Sequence, residues 1–292
     1  MTGTRGAVVA AAVVVGALGG STGTSIAPGA ALGASAPQAI DTAFESAALD
    51  SKLHLLVVLP PGYATDGLRY PVVYFLHGLP AGPTDYRSVA WVASAVQQTG
   101  RQAIVVIPQG TRSQNGDPEY HDWGAGRNWE TALSHDLPGW IDRTYRTIAN
   151  RSGRAVIGFS AGGYGAAILD VHHPGEYAVM ESWSGYFRPT DPTGTATLDV
   201  GSDADNAYAS VFDQVSRLKT VFRRAPTFFA FYVGRSDPTF VSDNLQLDRQ
   251  LTAAHVPHVF DLYPGAHTSA LWQAHAVRWL GMALNQLARP TS

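Results

Sequence analysis

Ser160, Asp237 and His267 have the residue types and local settings to carry out acyl transfer together. Ser160 lies in Gly158-Phe159-Ser160-Ala161-Gly162, a G-x-S-x-G spacing. The apolar run Ala155-Val156-Ile157 before it reads as a buried parallel strand, and Tyr164–Leu169 after it is small and apolar at helical spacing. Such a strand-to-helix turn lifts the hydroxyl clear of a sheet, and the flanking glycines remove side chains that would collide with neighbouring backbone. A serine hydroxyl is a weak nucleophile until an imidazole accepts its proton. The imidazole in turn needs a carboxylate on its other nitrogen, to fix the tautomer and stabilise the imidazolium. Two amides must then stabilise the oxyanion, each contributing roughly 3–4 kcal/mol. The candidates are the N–H of Leu79, in the turn His77-Gly78-Leu79-Pro80-Ala81-Gly82 after an apolar strand, and that of Ala161 at the helix N-terminus. The plainer alternatives are an ordinary glycine turn at Gly78 and a serine that merely caps its helix.

Of ten histidines, His267 alone occupies a Gly-x-His turn between the last predicted strand and the last predicted helix. His172-His173 reads as a solvated helix end, His255 and His258 flank a turn, and His275 lies within the last helix. His54 belongs to an early strand and His77 to the oxyanion turn, while His121 and His135 follow no late strand. For the acid, Asp237 directly follows a strand in Gly234-Arg235-Ser236-Asp237. Asp243, inside the next helix, is the alternative, and an Asp-Pro turn or helix cap is the plain reading of Asp237.

These residues need a scaffold, and the chain supplies one in repeating units. Apolar runs at Lys52–Leu59, Val72–Leu76, Ile104–Ile107, Val179–Trp183, Thr227–Val233 and Val259–Leu262 are bounded by proline and glycine and read as strands. Between them, Tyr86–Gln98, a stretch from Asn128 through about Tyr145, the elbow helix, Ala207–Leu218, Val241–Ala254 and Ala270–Leu287 read as helices. Alternation of this kind predicts one α/β domain with a mostly parallel sheet covered by helices on both faces. Thr111–Gly126 and Arg188–Gly201 read as long loops of the sort that shape a pocket. Asp203-Ala204-Asp205-Asn206 resembles the start of a calcium loop but lacks the glycine, and reads as a helix N-cap.

Composition narrows the function. A hydrophobic content of 45% supports a large core, and a net charge of −3 gives no reason to expect nucleic acid as a partner. With no cysteine in the 292 residues, disulfides, a thiol nucleophile and thiolate metal sites are excluded. Arg5 followed by the apolar block Ala7–Leu18 and a small-residue stretch reads as a secretory signal, with cleavage after Ala27 or Ala36. The expected division is a leader over 1–36 and a catalytic domain over 37–292, the mature protein secreted and without stable membrane insertion.

The chain resembles the esterase D and feruloyl-esterase branch of the α/β-hydrolases, which includes the mycolyltransferases. The resemblance rests on His77-Gly78-Leu79-Pro80-Ala81, Asn128-Trp129-Glu130-Thr131, Asp136-Leu137-Pro138-Gly139-Trp140, Gly158–Gly163, and Gly265-Ala266-His267 with Trp272. It implies Ser160 as nucleophile, His267 as base, Asp237 as acid, and Leu79 and Ala161 as oxyanion amides. It implies no metal and no cofactor, and a small-molecule, cell-envelope or plant-derived ester as substrate. His77, Tyr164 and Trp272 are candidate substrate contacts; Tyr164, Trp183, Tyr186 and Trp272 either line an aromatic pocket or pack, and Trp129 and Glu130 read as structural. Mycolyltransferases carry Asp-Gly-Leu-Arg where this chain has His77-Gly78-Leu79-Pro80, and Trp where Ser269 stands, which argues against trehalose mycolylation. The expected activity is therefore hydrolysis of carboxylic esters, with acyl transfer to a sugar or other alcohol, or a binding protein on an inactive hydrolase scaffold, as alternatives.

Overall fold

The computed structural model describes residues 37–114 and 116–292; the expected leader lies outside the described residues. The described chain forms one eight-stranded sheet: β1 (Gln38–Ser46), β2 (Ser51–Leu59), β3 (Val72–Leu76), β4 (Ile104–Pro108), β5 (Arg154–Phe159), β6 (Val179–Trp183), β7 (Phe228–Gly234) and β8 (Val259–Tyr263). Their order across the sheet is β1-β2-β4-β3-β5-β6-β7-β8. β1 pairs antiparallel with β2, and β2 with β4, while every pairing from β4 to β8 is parallel.

The parallel strands read as continuous apolar runs because both faces are covered. Along β3, Val72, Tyr74 and Leu76 point into one core, and Val73 and Phe75 into the other. Helices α1 (Trp91–Gln98) and α7 (Ser269–Gln286) close the second face; α2 (Leu137–Thr144), α3 (Ala161–His172), α5 (Val211–Arg224) and α6 (Val241–Ala253) close the first, and α4 (Asp203–Ala209) precedes α5. Each fully buried aliphatic or phenyl side chain contributes roughly 1.5–3 kcal/mol.

Register places the chemistry. Leu76 pairs with Gly158, Phe159 with Trp183, Trp183 with Tyr232, and Gly234 with Tyr263. The carboxyl ends of β3, β5, β6, β7 and β8 therefore align along one edge, where ligands bind in open α/β sheets.

Three departures from the sequence reading have local causes. β1 was not expected; it is an edge strand with only Phe44 and Ser46 buried, so its alternation is faint. The helix expected over Ala207–Leu218 is two helices, because Ser210 is extended and its hydroxyl caps α5 through the amide of Asp213. α4 starts earlier, with Ser202 and Asp205 forming a reciprocal capping box, so the Asp205 carboxylate is engaged in capping. No group of His, Asp or Glu able to hold a metal occurs among the described residues, and no described helix is long and apolar enough to cross a membrane.

Candidate active site

The elbow is built by close backbone approach. Ser160 has φ 54° and ψ −126°, a conformation rare for a residue with a side chain and costing on the order of 1–3 kcal/mol. It is pinned by its amide, which donates to Trp183 O at 3.0 Å, and by its carbonyl, which accepts from Gly163 N at 2.9 Å. A Cβ on Gly158 would lie 2.3 Å from Gly162 O, and one on Gly162 would lie 2.1 Å from Leu76 O. Only glycine lets α3 sit this close to the end of β3. The Ser160 hydroxyl caps no amide of α3; it points to His267.

His267, in the turn after β8, has Nε2 at 2.9 Å from Ser160 Oγ and Nδ1 at 2.8 Å from Asp237 Oδ2. A carboxylate only accepts, so Nδ1 carries the proton and the Nε2 lone pair accepts from the serine hydroxyl. Asp237, fully buried after β7, receives the amides of Thr239 and Phe240 on Oδ1, both at 3.0 Å. Burial pushes its pKa up, but the His267 hydrogen bond and the two amides outweigh this and hold it below the ordinary carboxylate value. Edges of Phe240 and Trp272 flank the imidazole, with ring centroids at 5.0 and 5.1 Å. Asp243, on α6, is instead within electrostatic range of Arg188.

Ser160 and His267 open onto a cleft of about 410 Å³, walled by Leu79, Tyr186, Asp191, Pro238 and Phe240. Ala161 is the first residue of α3, so its amide has no intrahelical acceptor and lies at the positive end of the helix dipole. The three candidate substrate contacts do not line this cleft. The His77 ring turns inward: Nε2 accepts from Gly110 N at 3.1 Å and Nδ1 donates to Gly78 O at 2.8 Å. Burial lowers its pKa and keeps it neutral. Tyr164 is buried behind Tyr186, its hydroxyl donating to Ala209 O at 2.7 Å and lying 2.6 Å from His121 Nε2. Trp272 stacks on Phe159 at 4.2 Å and supports the His267 ring.

Alone, this geometry specifies a chemistry. The family follows from comparison: the Esterase family model matches residues 46–280. The chain belongs to the esterase family. Among its relatives is Esterase Rv1288 of Mycobacterium tuberculosis, 28% identical over 250 residues, covering 77% of this chain and 54% of that protein. The diacylglycerol acyltransferase/mycolyltransferase Ag85A of the same organism is 27% identical over 160 residues, covering 50% of this chain and 44% of Ag85A. The chain thus spans about half the length of the curated relatives it matches. A solved ferulic acid esterase superposes with TM-score 0.72 at 22% identity, covering 86% of this chain and 99% of that one. The fluorophosphonate-binding serine hydrolase FphF of Staphylococcus aureus gives 0.72 at 18%, covering 85% and 99%; at these identities the likeness concerns the fold.

Around the cleft, the chain has supports that local spacing did not announce. Glu119 and Tyr120 are consecutive residues with positive φ, 70° and 57°. Their side chains reach two parts of the site: Tyr120 donates to His77 O at 2.5 Å, and the Glu119 carboxyl accepts from the hydroxyl of cleft-lining Tyr186 at 2.7 Å. The Tyr120 ring fits where Gly110 and Gly165 have no side chain; a Cβ on either would lie within 2.7 Å of it. Burial pushes Glu119 up to about 8. His172 and His173, expected in solvent, instead both reach Glu130 Oε1, at 2.8 and 2.9 Å. Trp129 is buried, its indole N–H donating to Asp117 at 3.1 Å, and Asp136 accepts from Ser46 at the end of β1 and from the Ala48 amide in the turn after it.

Proposed function

We propose that this esterase hydrolyses carboxylic esters through an acyl-enzyme on Ser160, and that it is secreted by the N-terminal leader. The observation that carries the reading is the unbroken relay from Ser160 Oγ to His267 at 2.9 Å and on to Asp237 at 2.8 Å. In the first half-reaction His267 takes the Ser160 proton as Oγ bonds to the ester carbonyl carbon. The tetrahedral oxyanion receives the amides of Leu79 and Ala161, and collapse expels the alcohol, which takes the proton from His267. Water, deprotonated by the same imidazole, attacks the acyl-enzyme and releases the acid, regenerating Ser160. A cleft of about 410 Å³ suits a short or medium acyl group better than a very long chain.

Transfer to a sugar differs only in the acceptor, and the likeness to Ag85A favours it as the second reading. The test is turnover of a short p-nitrophenyl ester by Ser160→Ala. A loss of at least about 10⁴-fold with an unchanged melting temperature is expected; a variant that keeps most of its activity would defeat the assignment. Product analysis with a polyol present separates the readings: free acid for hydrolysis, acylated polyol for transfer.

A further inference from the structure

Among the described residues that line the cleft of Ser160 and His267, Asp191 is the single carboxylate, and none is a lysine or arginine. Asp191 lies in the loop after β6, and its carboxylate is held in place. Oδ1 accepts the amides of Thr195 and Ala196 at 2.8 and 3.1 Å, and Oδ2 accepts the Thr193 hydroxyl at 2.7 Å. The Asp191 amide donates to Ala196 O at 2.8 Å, so the side chain and its own backbone close one tight turn over residues 191–196. These donors, the Thr193 hydroxyl first, hold the carboxyl below the ordinary range and keep it ionised at neutral pH.

The tip of that turn reaches the catalytic side chains through Phe240. Gly194 has φ 74°, and a Cβ there would lie 2.6 Å from Phe240 Cζ. Phe240 packs on the His267 imidazole, with ring centroids 5.0 Å apart. No cation offsets the charge at this tip. Arg188, in the same loop, lays its guanidinium over the Phe212 ring at 4.9 Å and lines a separate cavity. Behind the wall, burial pushes the Glu119 carboxyl up, and the negative charge of Asp191 adds to that push; Glu119 is the partner of cleft-lining Tyr186. Below the imidazole lies Asp237, a second ionised carboxylate. An ester with a negative charge near its scissile carbonyl would thus meet side-chain charges of its own sign.

We propose that Asp191 determines specificity by charge: it makes the cleft take neutral or positively charged esters and turn away those with a negative charge close to the carbonyl. This selectivity rests on the esterase reading above. Its size follows from Coulomb's law. Unit charges sharing a solvent-open cleft alter binding about two- to fivefold, and less as salt screens them.

The test uses three p-nitrophenyl esters of similar length: the pentanoate, which is neutral, the hydrogen glutarate, which is anionic, and the 4-(trimethylammonio)butanoate, which is cationic. For each, kcat/KM is measured at pH 7 in wild type and Asp191→Asn, at low and at high ionic strength. Asp191→Asn keeps an oxygen on the two amides and turns Nδ2 toward the Thr193 hydroxyl, so the turn is retained while the charge is lost. A displaced loop would move all three esters the same way, whereas a lost charge moves the anionic and cationic esters in opposite directions. Ratios compared between the two proteins cancel the intrinsic reactivity of each ester. We expect the anionic-to-neutral ratio to rise about two- to fivefold in Asp191→Asn and the cationic-to-neutral ratio to fall by a similar factor, both changes shrinking at high salt. Should the variant fold poorly, wild type alone provides the second measurement: added salt should raise the anionic-to-neutral ratio and lower the cationic-to-neutral one. Ratios that match between the two proteins, that shift with the same sign for both charged esters, or that ignore salt in wild type overturn the proposal. Hydrolysis of none of the three esters by wild type would instead strike the esterase reading, and this selectivity with it.

Discussion

In the proposed mechanism, a proton leaving the Ser160 hydroxyl meets the lone pair of His267 Nε2 at 2.9 Å only while the opposite nitrogen carries hydrogen. Asp237 enforces that tautomer, since its buried carboxylate can do nothing at Nδ1 but accept. Asp237→Asn tests this at the scale of one atom. The asparagine can turn N–H toward Nδ1, which drives the proton to Nε2 and removes the base. We expect kcat to fall about 10³–10⁴-fold with little change in KM, read from steady-state kinetics; a loss smaller than tenfold would mean that Asp237 only shapes its turn.

At the scale of elements, the site depends on how closely α3 approaches β3. Gly162→Ala would drive a methyl carbon to 2.1 Å from Leu76 O and 2.6 Å from His77 O, both backbone atoms that cannot rotate away. The helix start and the His77-Gly78-Leu79 turn would have to separate. We expect a stability loss of about 3 kcal/mol or more, at or above the upper end for overpacking, with activity falling in the variant that remains folded. Gly175→Ala, which meets nothing within 4 Å, is the control and should be near neutral by thermal melting. Equal melting temperatures for the two variants would show that the elbow relaxes easily. The same tightness accounts for Tyr120, whose ring fills the room left by Gly110 and Gly165 and whose hydroxyl holds the carbonyl of His77, two residues before Leu79.

Over the whole molecule, burial of carboxyls couples stability to pH. Glu119 is pushed up to about 8 by burial, and burial likewise raises Asp170 to about 8. For Glu119, both folded and unfolded chains are protonated below the ordinary glutamate range. From there to about pH 8 only the unfolded chain releases its proton, so stability falls as pH rises through that window. Glu119→Gln keeps an acceptor for the Tyr186 hydroxyl and removes the titration. Its unfolding free energy should gain on wild type steadily between pH 5 and pH 8, by up to a few kcal/mol at about 1.4 kcal/mol per unit, measured by denaturant titration at each pH. Parallel curves for the two proteins would show that Glu119 is ionised throughout.

Much of this was legible along the chain because apolar runs bounded by proline and glycine mark buried strands wherever both faces of a sheet are covered. Val72–Leu76 and Val179–Trp183 were read to the residue, and the catalytic candidates stood out because each follows a strand end. The feeble alternation of edge strand β1 hid it, and the break at Ser210 passed for continuous helix. What only the tertiary structure decided was direction and partnership: that His77 and Tyr164 turn away from the cleft, that Glu130 gathers His172 and His173, and that Glu119 and Tyr120 brace opposite parts of the site. Spacing says which residues share a strand or a turn. Which side chains meet depends on register between distant strands and on rotamers chosen by packing, and neither is a local property of the chain.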